Sequence, residues 1–334
     1  MQQIEIGENE SGQRLDKFLQ RFLPAASPGF LYKMLRRKNI TVNQKKCDGR
    51  YLLCKGDQIT IYFSDETFAK FQTDPGKQGT HSDVECQSIC LEPHMILFEN
   101  DQLMLINKPA GTLSQKSKNT DTSITEMVDS YLLQQKKRTE QDMLLYRPGP
   151  ANRLDRNTSG LMVFPLTLAA ARNLSVLFKD RKIDKTYLAL VKGDFTGKKH
   201  LKNWFSRDSE NYVSKVFQEK QPDTVPAEII CQPIDNGCGY TLLEITLLTG
   251  KTHQIRAQMQ ANGYPLAGDR KYGKIGCDLL KRQFLHSWSL TFPQMDGVLH
   301  SLSGCSFQAP LPNDLNKALV KLGISLANSI KKDE

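Results

Sequence analysis

The stretch at residues 152–164, NRLDRNTSGLMVF, sets one carboxylate, Asp155, between the guanidinium groups of Arg153 and Arg156. A small polar turn, Asn157 to Gly160, comes next, and then an apolar run. An ionised carboxylate can act as a nucleophile or as a base. Burial drives it towards the neutral form, and a nearby cation keeps it charged. Two further clusters carry chemistry-bearing residues. KTYLALVKG at 185–193 puts Tyr187 early in a strand-like run. TGKTHQIRAQM at 249–259 leads through a glycine turn into a helix bearing His253 and Arg256. Taken singly, these residues have plainer readings: a structural ion pair, a core aromatic, a helix-surface arginine.

The chain has 334 residues, more than one hydrophobic core usually serves, and so reads as two domains. No apolar run approaches the ~20 residues that span a bilayer. The opening MQQIEIGENESGQ is acidic and polar, unlike a secretory signal. Cys47, Cys54, Cys86, Cys90, Cys231, Cys238, Cys277 and Cys305 form no CxxC pair, which predicts free thiols in a reducing cytoplasm and no zinc site. Residues 12–64 hold eleven Lys or Arg against three Asp, so most of the net charge of +9 lies in one segment. Such concentration points to a polyanionic partner, above all nucleic acid.

That segment has a readable fold. Leu15, Phe18, Leu19 and Phe22 repeat as the stripe of an amphipathic helix that Pro24 ends. Ser27 and Pro28 read as the cap and first residue of a second helix, which buries Leu31, Met34 and Leu35. Lys33, Arg36 and Arg37 fall together on another face of it. ITVN and QITIYF then read as two short strands. Residues 65–90 lack sustained periodicity and read as connector. Beyond them, MILFENDQLMLINKPAG, residues 95–111, reads as two strands around a polar turn, ending in a Lys108–Pro109 loop. Ser123 with Glu126 forms a capping box for a helix. Strands are predicted at 160–165, 186–192, 226–232 and 240–248, and helices at 167–180, 252–262 and 312–323.

Two helices presenting cations before a small hairpin, with ITVNQKK after the basic helix, resemble the α-L RNA-binding domain. RLDxxTSGL, KTYLALVKG, GKTHQIR and GDRKYG, in this order, resemble the RluA-type pseudouridine synthases over roughly residues 92–310. The resemblance implies an α+β fold. A mixed, mainly antiparallel central sheet with flanking helices would span residues 92–325, with the α-L domain at 1–68 and a linker at 69–91. One departure is visible: the family commonly has His where this chain has Asn152. Asparagine hydrogen-bonds but takes no proton at neutral pH, so a bracing role is expected for that position.

The resemblance also assigns roles. Asp155 is the carboxylate beside the ribose, acting as nucleophile or base. Arg256 is the cation that keeps it ionised in a buried pair. Tyr187 stacks on the uracil and helps remove the carbon-5 proton. Arg153 is the wedge that fills the space left by a flipped base. Arg156 braces the loop or touches phosphate, and Leu285 lines the uracil pocket. His253 is expected to be structural and Trp288 to belong to the core. Lys108 and Lys271 are expected to meet phosphate or solvent. Lys33, Arg36 and Arg37 bind RNA. The reaction is an isomerisation that imports no group, so no cofactor or metal is expected. The expected partner is RNA, ribosomal first and transfer RNA second, for a cytoplasmic monomer without membrane contact. The alternative is a catalytically inactive RNA-binding ribosome assembly factor.

Overall fold

In the computed structural model, which describes residues 1–72, 91–116, 118, 121–208, 213–273 and 279–326, the chain divides into two compact units. The first comprises Met1–Leu91, Gln115–Gly149 and Pro165–Arg172. The second comprises Glu92–Ser114, Pro150–Phe164 and Asn173–Glu334.

The first unit begins with β1 (Gln2–Glu5), α1 (Leu15–Phe22), α2 (Pro28–Arg36), β2 (Ile40–Val42), β3 (Gln58–Ile61) and α3 (Asp65–Gln72). The stripe of α1 is buried as its spacing predicts, and packs with Leu31, Met34 and Leu35 of α2. The Ser27 hydroxyl accepts the Phe30 N–H at 3.3 Å, with Pro28 at the first helical position. β2 and β3 pair antiparallel as expected, and β1 adds a third strand beside β3. Residues 65–72, read from sequence as connector, form α3 instead. Its two aromatics, Phe68 and Phe71, lie three residues apart and suffice to fix two turns: Phe68 is buried, and Phe71 meets Phe30 at 4.6 Å between ring centroids. The rest of the expected linker, residues 73–90, lies outside the described residues. Lys33, Arg36 and Arg37 are all exposed. Helices α4 (Ile124–Gln134), with the predicted Ser123–Glu126 capping box, and α5 (Glu140–Leu145) complete this unit.

The second unit is built on β4 (Ile96–Glu99), β5 (Leu103–Lys108), β6 (Ser159–Pro165), β7 (Asp184–Lys192), β8 (Lys199–Asp208), β9 (Val213–Phe217), β10 (Val225–Gly237), β11 (Tyr240–Leu247), β12 (Leu285–Thr291) and β13 (Ser306–Gln308). Helix α6 (Leu168–Lys179) is divided between the units at Arg172, and α7 (Gln254–Ala261) and α8 (Asn313–Leu322) belong to the second. Among the described residues these strands form one ten-stranded sheet, ordered β4-β5-β6-β12-β7-β11-β10-β8-β9, with β13 on β12. The β6–β12 pair is parallel and β12–β7 is antiparallel, so the sheet is mixed as expected. α8 buries Leu315, Ala318, Leu319 and Leu322 against Leu188, Leu190 and Leu242 on one face. Tyr187, Ile245 and Cys231 are cross-strand partners on the opposite face. Met259 of α7 touches Cys231 there, at 3.7 Å between sulfurs. Among the described residues no helix is long and apolar enough to cross a membrane. Cys47, Cys54, Cys231, Cys238 and Cys305 are free, while Cys86, Cys90 and Cys277 lie outside the described residues.

Gly160 fixes where the Asp155 segment enters the sheet. Its φ is +115°, and a Cβ there would sit 2.2 Å from the Ser287 carbonyl oxygen of β12. Positive φ alone costs a side-chain-bearing residue about 1–3 kcal/mol, and the backbone collision adds to that. Gly160→Ala should therefore lower the melting temperature by several degrees. Gly250→Ala, with nothing within 4 Å of its Cβ position, should leave it nearly unchanged. Calorimetry of the two variants checks this; equal melting temperatures would remove the constraint assigned to Gly160.

Candidate active site

The Asp155 loop, residues 152–158, is tied down almost residue by residue. Asn152 donates its amide to the Leu161 carbonyl at 3.2 Å and accepts the Val163 N–H at 2.8 Å. It braces the loop against β6, as expected for a side chain that cannot carry a proton. The Leu154 N–H donates to the Ser114 hydroxyl at 3.0 Å. The Thr158 N–H donates to the Asp155 carbonyl at 3.0 Å, closing a turn directly after the carboxylate. Arg156 donates its Nε to the Gly111 carbonyl at 3.0 Å, so it is a loop brace. Its own carbonyl accepts from the Gly111 N–H and from Lys108 Nζ. Arg153 is exposed.

Lys108 corrects an expectation. It meets neither phosphate nor solvent: it is fully buried, and its ammonium donates to the carbonyls of Pro109 (2.9 Å), Thr112 (2.9 Å) and Arg156 (3.1 Å). Burial pushes its pKa down to about 7, while the charge of Asp155 acts the other way. All three N–H bonds are taken by carbonyls, which favours the charged form.

Arg256 stands on α7, whose start is fixed by polar contacts rather than by apolar packing. Gln254 Oε1 accepts from the Thr249 hydroxyl and the Lys251 N–H, both at 2.9 Å. Gln258 donates to the Leu201 and Ala227 carbonyls, tying the helix to β8 and β10. The guanidinium then divides its donors. Nε and Nη2 form a fork on Asp269 at 2.8 and 3.0 Å, and Nη1 donates to Asp155 Oδ2 at 3.0 Å. The predicted pairing is present, with one correction: the fully buried partner is Asp269, 1% exposed at its side chain, whereas Asp155 keeps 24%. Burial acts to lower the Arg256 pKa, but the Asp269 bonds and charge, and then those of Asp155, outweigh it and raise it. Burial acts to raise the Asp269 carboxyl, and the Arg256 bonds and charge, with the Tyr272 and Lys271 N–H groups, hold it below its ordinary value. Asp269 was legible only as part of GDRKYG, and nothing in its spacing assigned it to Arg256.

His253 lies closer to the carboxylate than a purely structural histidine need be. It occupies the left-handed region at the α7 N-terminus, with Nε2 3.9 Å from Asp155 Oδ2 and Nδ1 3.0 Å from the Tyr272 hydroxyl. That hydroxyl also accepts the Ser214 N–H at 3.0 Å. Burial, the largest influence, keeps the imidazole below its ordinary pKa. The Tyr272 ring lies under Arg256, 5.1 Å from the guanidinium carbon.

Tyr187 is buried, on the same sheet face as α7, and burial pushes its hydroxyl up to about 12, with Asp155 adding in the same direction. Leu285, opposite Ala189, shares the face of Tyr187 and is buried. Trp288 packs partly buried against the α8 core, and Lys271 is exposed. The structure thus brings together Asp155, Arg256, His253, Asp269 and Tyr272, with Tyr187 within electrostatic reach. Lys33, Arg36 and Arg37 belong to the other unit.

Residues 102–261 match the family model described as RNA pseudouridylate synthase, and residues 13–59 match the S4 domain. The chain is 28% identical over 330 residues to ribosomal large subunit pseudouridine synthase C of Vibrio parahaemolyticus, covering 96% of each chain. It is 27% identical over 340 residues to the protein of that name from Escherichia coli strain K12, again covering 96% of each. Among solved structures, human RNA Pseudouridylate Synthase Domain Containing 4 shares the fold, with a TM-score of 0.54 and 20% identity over 69% of this chain and 94% of that one.

The Asp269 pair makes a signed pH prediction. Its folded pKa is depressed, so its stabilisation is complete above the unfolded value of about 4. It disappears as pH falls through the folded value. Asp269→Asn should cost on the order of 3 kcal/mol at neutral pH by leaving Arg256 under-paired. The gap to wild type should close as pH falls below about 4. Melting temperatures across that range test it; a gap that stays constant with pH would mean the loss is steric.

Proposed function

Because the chain belongs to the RNA pseudouridylate synthase family, we propose that it isomerises specific uridines to pseudouridine in large-subunit ribosomal RNA, with Asp155 as the catalytic carboxylate. The observation that carries this reading is the half-open Asp155 carboxylate, held at 3.0 Å by the buried Arg256 within the matched region. The names of the curated relatives motivate the choice of ribosomal RNA.

In this reading the N-glycosidic bond breaks, the uracil turns, carbon 5 bonds to the sugar, and the carbon-5 proton leaves. Nothing is oxidised, and every atom of the uridine is retained except that proton, which solvent replaces on nitrogen 1. Asp155 acts at the sugar or base edge as nucleophile or base. Tyr187 stacks on the uracil and Leu285 lines its pocket. A hydroxyl with a pKa near 12 stays protonated at neutral pH, which favours stacking over proton removal for Tyr187. Arg153, exposed on an otherwise anchored loop, takes the place of the flipped base. The basic face of Lys33, Arg36 and Arg37 in the S4-like region supplies electrostatic affinity. The proposed catalytic region is 92–325, the RNA-binding region 1–68, and the setting cytoplasmic.

Two experiments test the reading. Asp155→Asn nearly preserves shape, so it should bind ribosomal RNA transcript in gel shifts yet form no pseudouridine on nucleoside chromatography. Wild-type turnover in that variant would move the chemistry elsewhere. Absence of product from the wild type would favour the inactive assembly factor, and free uracil would indicate a hydrolase. For the basic face, each phosphate contact contributes about −0.7 to the log–log salt slope on single strands. Replacing Lys33, Arg36 and Arg37 together by Gln should flatten that slope by roughly 2. An unchanged slope would exclude this face from binding.

A further inference from the structure

Asn157 is the third residue of the turn that Asp155 opens and Thr158 closes, and one side chain from a distant part of the chain holds it. Arg282 Nη1 donates to the Asn157 carbonyl at 3.1 Å. Its Nε and Nη2 form a fork on Asp314, at 2.7 and 3.0 Å. The Arg282 side chain is only 10% exposed, and its donors on both sides of the fork are engaged, so it is poorly placed to meet a phosphate. Gln283, the next residue, donates to the Thr158 hydroxyl at 3.3 Å.

Both ends of this link are anchored. Asp314 lies in the first turn of α8, where the helix dipole favours negative charge. α8 itself is fixed by the buried Leu315, Leu319 and Leu322. The Arg282 backbone rests on Gly268, where a Cβ would sit 2.1 Å from the Arg282 carbonyl oxygen. Gly268 precedes Asp269, the fork partner of Arg256. Residues 282–283 therefore join the Asp155 turn on one side to the segment that orients Arg256 on the other.

We propose that Arg282, held by Asp314, is a positioning residue for the reaction: it sets the Asp155 carboxylate against Arg256 through the Asn157 carbonyl, and so makes α8 part of the working site. The role rests on the proposed function, but the contact it requires does not. A displacement of about 1 Å in a reacting group can cost on the order of 100-fold in rate. A lysine lacks the planar fork and cannot serve Asn157 and Asp314 in the same way.

The test uses the full chain with Arg282→Lys, Asp314→Ala and Asp314→Glu. With ribosomal RNA transcript as substrate, Arg282→Lys and Asp314→Ala should lower kcat by roughly 10- to 100-fold with KM little changed. Asp314→Glu, which can rebuild the fork, should recover most of the rate. In hydrogen exchange without RNA, the Thr158 amide should lose protection in the first two variants, while β10–β11 amides keep theirs. A lower melting temperature with unchanged kcat would reduce the link to a structural tie and overturn the proposal. A raised KM at unchanged kcat would make Arg282 an RNA contact and overturn it as well. Should wild type form no pseudouridine, unchanged Thr158 exchange in both variants would still refute the positioning role.

Discussion

The second unit depends on one guanidinium shared between two carboxylates. Arg256 gives two donors to Asp269 and one to Asp155. Asp269 is the fully enclosed partner, so it fixes the plane and direction of the guanidinium. Asp155 receives the remaining donor and keeps an open side. A single pair could have supplied charge, but not orientation. Breaking a buried pair by removing one partner costs on the order of 3–5 kcal/mol, so the fold and the site share the same contact. The polar character of α7 follows: Gln254, Arg256 and Gln258 are all buried, and each is there to satisfy backbone or charge.

A second constraint runs through the loop. The sheet reaches the carboxylate by way of Gly160, which permits the close approach to Ser287 of β12. One position earlier, the Ser159 hydroxyl meets His286 Nδ1 at 2.9 Å, and His286 Nε2 donates to the Ala309 carbonyl at 3.0 Å. Burial pushes this imidazole down to about 4. It is therefore neutral, with Nδ1 free to accept from Ser159. Towards the chain start, Asn152 and Ser114 fix Leu154 and the strand beyond. Against this background the exposure of Arg153 supports the role proposed for it, because a group that enters a nucleic acid must not be spent on the protein.

Much of this was legible in the sequence, and the misses have physical causes. Helices α1 and α2, the strands around 96–108, 159–165, 184–192 and 240–247, and the Ser123 cap follow from periodicity and capping chemistry, which are local. β8 and β9 were not foreseen: in KKHLKNWFSRD, lysine and histidine alternate irregularly with apolar residues, and the strand is sustained by pairing with β10. The Asp155–Arg256 pairing rested on resemblance, since 101 residues separate its members. Asp269 and Arg282 were missed because their roles lie in which donors they engage, and spacing does not encode that. Lys108 was misjudged because lysine is rarely fully buried, and although Pro109 and Thr112 are close in sequence, the third carbonyl partner, Arg156, lies 48 residues away.

The charges around Asp155 bear on where a proton can go. Tyr187 is protonated at neutral pH, as a tyrosine ordinarily is, and burial raises its pKa further, to about 12. His253 is neutral, and a lone pair on Nε2 facing the Asp155 oxygen at 3.9 Å would be repulsive, so the hydrogen sits on Nε2. Its other nitrogen is then the acceptor of the Tyr272 hydroxyl, whose oxygen already takes the Ser214 N–H. Arg256 and Lys108 are donors without a lone pair to offer while charged. In the proposed reaction the described neighbours of Asp155, with Lys108 in its charged form, are committed as donors or already satisfied. A proton removed from the base must pass to Asp155 itself or to solvent at its open edge. The arrangement that orients the carboxylate thus keeps its open edge clear of other protein acceptors among the described residues.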